Sequence, residues 1–181
     1  MKKLFFIPAM ATVLFLASCG GGGETTTETE TPTTETPAAP AADAPGADIP
    51  GINDVAVTDH IELQGADDMK YDKTLFKIKA GQEVKLTFKN VGKLPKEAMG
   101  HNVVILQQGA DVEAFALAAL KDKANDYVPE SMKNEIVANT KLLGPGESDT
   151  ITFTIAEAGV YDFICTFPGH HGTMNGKIVV E

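Results

Sequence analysis

Tyr161-Asp162-Phe163-Ile164-Cys165-Thr166-Phe167-Pro168-Gly169-His170-His171-Gly172-Thr173-Met174 decides how this 181-residue chain is read. Its first half alternates. Tyr161, Phe163 and Cys165 share one face and Asp162 lies on the other, the period of a half-buried β-strand. Cys165 is therefore expected to point inward with Phe163. The second half is a short loop in which Pro168-Gly169 supports a tight turn, so Cys165, His170 and Met174 can meet at one point. A thiolate, an imidazole and a thioether form a soft donor set that prefers copper.

A second imidazole has to come from elsewhere, and outside this loop the only histidines are His60 and His101. His60 sits in a polar stretch and reads as a surface residue. His101 follows Gly100 and opens an apolar run, Val103 to Leu106. A histidine entering a buried strand is either a ligand or a satisfied core residue, and the residues alone leave both readings open.

Period-two alternation continues outward from this stretch. Phe76 and Ile78 alternate with Lys77 and Lys79. Val84, Leu86 and Phe88 alternate with Lys85, Thr87 and Lys89, and Ala80-Gly81 between the two runs is a turn or a corner. Ile151, Phe153 and Ile155 alternate with threonines, and Lys177 to Val180 reads as a last strand. One helix interrupts the strands. Asp111 caps it, Val112, Phe115, Ala116, Ala119 and Leu120 fall at helical spacing, and Lys121 and Lys123 are placed in its last turn, where the helix dipole favours cations. The pattern predicts an all-β fold, a Greek-key β-sandwich over residues 54–181 with one short helical insertion.

Residues 1–18 read as an export signal: Lys2 and Lys3 precede an apolar run that is short of the about 20 residues a membrane span needs. Leu16-Ala17-Ser18-Cys19 resembles the bacterial lipobox, which makes Cys19 the expected lipidation site and the membrane anchor. Residues 19–53 are then the lipidated Cys and a Thr/Glu/Pro/Ala-rich linker, whose large apolar residues are Ile49 and Ile52. About 30 flexible residues reach ~30 Å. Since Cys19 and Cys165 are the only cysteines, Cys165 is left as a lone thiol in an oxidising setting, either an inert buried residue or one with chemistry to do. The formal net charge of −10 and the absence of Arg exclude nucleic acid as a partner.

Cys165-Thr166-Phe167-Pro168-Gly169-His170 with Met174 resembles the copper loop of the azurin family, the blue copper cupredoxins. Leu94-Pro95-Lys96 and Met99-Gly100-His101-Asn102 resemble that family's upstream ligand segment. Residues 61–69 and 140–149 are similar as well. The resemblance implies a cupredoxin fold holding one copper that cycles between Cu(I) and Cu(II). His101, Cys165 and His170 would form a plane around it, with Met174 as a weak axial contact and the Gly100 carbonyl opposite. Asn102 would brace the ligand loops, and the Phe167 amide would donate to the Cys165 sulfur. Leu94, Met99, Phe167 and Pro168 would form an apolar docking patch around a half-exposed His170. The family spacing makes His170 the ligand and leaves His171 on the rim. Met69 is either core filler or part of the patch, and Asp67-Asp68 reads as a solvated turn.

The function implied is single-electron transfer between redox partners of the cell envelope, such as cytochromes or copper enzymes, by an exported, lipid-anchored, non-enzymatic carrier. Copper delivery or storage is the alternative, in which the ion itself is the cargo. An enzyme would need a second metal site or an open coordination position, and no spare His cluster supplies one. The chain departs from the azurin pattern in having no disulfide, no Trp, and Thr173 where the docking patch is usually apolar.

Overall fold

The computed structural model describes residues 44–181; the expected export signal, Cys19 and most of the linker lie outside the described residues. Two sheets face each other. The first has three strands, in the order β1 (His60–Gly65), β3 (Glu83–Asn90), β6 (Ser148–Thr154). The second has five, in the order β2 (Leu75–Ile78), β8 (Asn175–Val180), β7 (Gly159–Ile164), β4 (Val104–Leu106), β5 (Ile136–Asn139). The architecture is the expected β-sandwich. β1 pairs with β3 in parallel, and β2 with β8 in parallel, so the chain must change sheets between β2 and β3. Ala80-Gly81 makes that corner, with the Gly81 amide donating to the Ile155 carbonyl at 2.8 Å.

The alternation in the sequence sorts side chains between solvent and core. Ile61 and Leu63 of β1 and Val84, Leu86 and Phe88 of β3 enter one buried cluster with Phe76, Ile78, Tyr161, Phe163, Cys165, Ile178 and Val180 of the other sheet. The back of the five-stranded sheet is covered separately. Among the described residues two short α-helices occur: α1 (Lys96–Met99) and α2 (Val112–Ala119). Phe115 of α2 packs with Val104, Leu106 and Ile164, and the Asp111 carboxylate caps the helix by accepting from the Ala114 amide at 3.0 Å. α2 is shorter than its apolar spacing predicts. It ends at Ala119, so Leu120 is 48% exposed instead of buried, and Lys121 and Lys123 lie beyond the last turn.

The described structure also includes residues before the expected domain boundary at residue 54. The end of the predicted linker forms turns and a 3-10 helix, Ile52–Asp54, with Ile52 buried. Gly46 lies so close to Val179 and Val160 that a Cβ there would approach their methyls to 2.9 and 3.3 Å. The apolar Ile52 supplies the burial that a purely polar linker lacks. β7 leads from Val160 toward Cys165, and β8 starts one residue after Met174 and ends at Val180. This strap therefore sits at the ends of β7 and β8 remote from Cys165 and Met174, ~16 Å away for five strand steps.

Candidate metal centre

Strand register assembles the centre. β4 runs antiparallel to β7 with Val104 opposite Ile164, which sets the residues before β4, His101 to Val103, beside those after β7, Cys165 to Phe167. β8 begins beside them, because Ile164 pairs with Asn175. The Cys165 amide then donates to the Met174 carbonyl at 2.9 Å, and the Met174 amide to the His170 carbonyl at 2.8 Å. Gly169, at φ +82°, makes the turn inside this loop. His101 is clamped by reciprocal hydrogen bonds with Leu143, 3.1 Å from its amide and 2.7 Å to its carbonyl.

The ligand atoms of His101, Cys165 and His170 lie within 4.8 Å of one another. The two Nδ1 atoms are 3.2 Å apart, and Cys165 Sγ is 4.0 Å from Nδ1 of His101 and 3.5 Å from that of His170. His101, Cys165 and Met174 are fully buried. His101 Nε2 lies 2.9 Å from the Ala66 carbonyl. That oxygen can only accept, so Nε2 carries the proton of the neutral ring and the Nδ1 lone pair faces the sulfur. Gly100 is buried immediately before His101.

Burial keeps this donor set uncharged in the absence of an ion. The Cys165 thiol is pushed up to about 12 by burial, against the pull of the Asn102 and Phe167 backbone amides that donate to it. Burial is also the first cause of the lowered His170 pKa, about 4, with His101 adding to it. His101 is lowered chiefly by burial too. A cation binding here displaces the thiol proton and meets two imidazoles that are already neutral. Converging sulfur and nitrogen donors, closed to water, fit one copper ion.

Asn102 joins the two loops. Its Oδ1 accepts from the Thr166 amide at 2.8 Å, and its Nδ2 donates to Thr166 Oγ1 at 2.7 Å and to the Asp126 carbonyl at 3.0 Å. The expected half-exposed His170 is not found: it is 2% exposed, with the Phe167 ring 4.8 Å from its own. Tyr127 meets the Phe167 ring in turn at 5.3 Å, so the aromatic cover seals the imidazole. Leu94 is 45% exposed, Met69 and Val91 are exposed, Met99 and Pro168 are half-buried, and Phe167 is buried. Met69 is therefore on the surface and not in the core. His171 is half-buried and paired with Glu113 at 3.2 Å, and His60 is a surface residue beside Glu62.

Asp67 and Asp68 lie in a turn as expected, with Asp68 exposed, but Asp67 has a further part: its carboxylate accepts from the Lys93 and Leu94 amides at 2.8 and 3.3 Å, tying two loops together. The β1–β2 loop as a whole had no role assigned from sequence, although it supplies Ala66 to His101. Its contacts join residues more than 25 positions apart, which leave no local periodicity to detect.

The likeness to known proteins covers this same region. A family profile described as copper binding proteins, plastocyanin/azurin family, matches residues 57–181. An azurin of Alcaligenes faecalis is 35% identical over 122 residues, spanning 65% of this chain and 94% of its own. The outer membrane protein H.8 of Neisseria gonorrhoeae is 37% identical over 122 residues, 65% of each chain. Auracyanin A of Chloroflexus aurantiacus, described as a "blue" copper protein, is 35% identical and superposes with a TM-score of 0.61 over 70% of this chain and 100% of that one. A buried Cys–His–His cluster on a cupredoxin sandwich, matched by the family profile from residue 57 to 181, places the chain in the plastocyanin/azurin family of copper-binding proteins.

Proposed function

We propose that this protein is a lipid-anchored blue copper carrier that passes single electrons between redox partners of the cell envelope. The convergence of the Cys165 sulfur with the Nδ1 atoms of His101 and His170 carries the reading. In it, His101, Cys165, His170 and Met174 would hold the metal, and the Gly100 carbonyl would be a further donor. Copper supplies the two oxidation states one electron apart. The chain's own residues keep the donors in place: Leu143 holds the His101 backbone, Ala66 its ring, and Asn102 the two ligand loops. Donors fixed in this way move little when the charge changes, and little rearrangement means a low barrier to electron transfer. No substrate is transformed, so the protein is a carrier and not an enzyme.

Leu94, Met69 and Val91, with Met99 and Pro168, supply the apolar face on which cytochromes or copper enzymes would dock; Phe167 lies beneath it and conducts toward His170. Cys19 is the proposed lipid attachment. The strap at residues 44–54, packed at the ends of β7 and β8 remote from Cys165, supports reading the anchor and the metal centre as separate parts of the chain. The name of the Neisseria relative, an outer membrane protein, supports an envelope location.

The full chain loaded with Cu(II) should show an intense blue absorption band and narrow copper hyperfine splitting in electron spin resonance. Cys165→Ser should abolish both. A colourless copper adduct of the parent chain would sink the reading. Copper that leaves to a chelating acceptor within a few redox cycles would favour delivery over electron transfer. Cys19→Ala should move the protein from the membrane to the soluble fraction.

A further inference from the structure

The loop between β1 and β2 lies outside the Cys-His-Met pattern, yet it grips the metal centre at two adjacent residues. Gly65 and Tyr71 form an antiparallel bridge at its base. On one side the Ala66 carbonyl accepts the His101 Nε2 proton. On the other, the Tyr71 hydroxyl donates to the Asn102 carbonyl at 2.6 Å, in a buried setting. The Tyr71 ring cannot swing away, because Phe88 meets it edge-on at 5.8 Å and Phe163 packs against it at 5.3 Å. The peptide between Asn102 and Val103 is held from its other end too, where the Val103 amide donates to Thr140 Oγ1 at 2.9 Å. The Asn102 amide, in the neighbouring peptide, is one of the two donors to the Cys165 sulfur.

We propose that Tyr71 is a positioning residue of the copper centre, holding the Asn102 carbonyl so that His101 and the amide donated to the Cys165 sulfur keep one geometry in both oxidation states. The proposal rests on the electron-carrier reading of the site. Peptide units are planar and stiff, so anchoring the carbonyl of Asn102 and its side chain restricts the backbone angles that aim its amide. A hydrogen bond to the sulfur draws electron density from the metal–thiolate bond and favours the reduced state. Without the hydroxyl, the buried carbonyl turns to find another partner, the amide loses its aim, and the reduced state is favoured less.

Tyr71→Phe tests this, since it keeps the ring and removes only the O–H. Tyr161→Phe is the control: it removes a similar bond, Tyr161 Oη to the Glu157 carbonyl at 2.9 Å, near the far end of β7. Each variant of the full chain is loaded with copper and measured by voltammetry, electron spin resonance and thermal unfolding. Tyr71→Phe should stay blue, show a lower reduction potential and a changed hyperfine splitting, and exchange electrons with itself more slowly. Tyr161→Phe should change thermal stability alone. A Tyr71→Phe protein with the parent's potential and hyperfine splitting overturns the proposal, even if its stability falls. Should that variant fail to fold, Thr140→Val releases the other end of the same peptide, and an unchanged potential there overturns it equally. A parent chain that is not blue refutes the electron-carrier reading itself, a result separate from any of these.

Discussion

Replacing Asn102 by leucine, of similar volume, isolates the polar clamp between the two ligand loops. The change removes the hydrogen bonds to the Thr166 amide, Thr166 Oγ1 and the Asp126 carbonyl, at 2.8, 2.7 and 3.0 Å. Asn102 and Thr166 are both buried, so water cannot replace Asn102 at the two Thr166 groups, whereas the Asp126 bond is only part-buried. A buried group left unpaired costs about 1–3 kcal/mol. The Thr166 amide pays the most because it cannot rotate to a new acceptor, whereas its hydroxyl can. The sum for the three is about 3 kcal/mol. For a domain of this size that lowers the melting temperature by roughly 10 °C. Circular dichroism of the copper-free protein, parent against Asn102→Leu, measures it. Copper should also dissociate faster from the variant, since residues adjacent to His101 and Cys165 are no longer coupled. A loss below about 0.5 kcal/mol, the range of an ordinary surface substitution, would refute the claim that Asn102 bears the joint.

Copper binding near neutral pH should release about one proton per ion, the one held by a thiol whose burial raises it to about 12; calorimetry in buffers of different ionisation enthalpy counts it, and no release would mean that the thiol is already ionised. In the copper-free protein the folded His170 resists protonation down to about pH 4, while the unfolded chain takes up that proton near 6.5. The unfolded state therefore binds more protons in this window, so stability is complete above about pH 6.5 and falls as the pH drops toward 4. Denaturant midpoints at several pH values check the sign, and a midpoint that rises on acidification across this window would contradict it. Gly65→Ala places a methyl 2.5 Å from the Met174 Cε and 3.1 Å from the Phe88 ring; the flexible Met174 end must yield, so the copper spectrum should change more than the melting temperature does.

Much of this protein was legible in the chain itself. The alternation of Tyr161, Phe163 and Cys165 turned the thiol inward, and residues 165–174 fit on one short loop because their spacing is local. Strand periods and the Asp111 cap are local as well, and nearest neighbours dictate them. Tertiary structure decided the rest. Whether His101 faced the sulfur depended on the pairing of Val104 with Ile164, 60 positions apart. The burial of His170 depended on Phe167 and Tyr127 folding over it, the exposure of Leu120 on where α2 stopped against the sheet, and the ordering of residues 44–54 on Val160 and Val179. Asp67, Ala66 and Tyr71 gained their roles only when their loop was laid over residues 93–102. A one-dimensional pattern records which face a side chain prefers; the partner that meets it there is set by how distant segments pack, and no period in the chain encodes that.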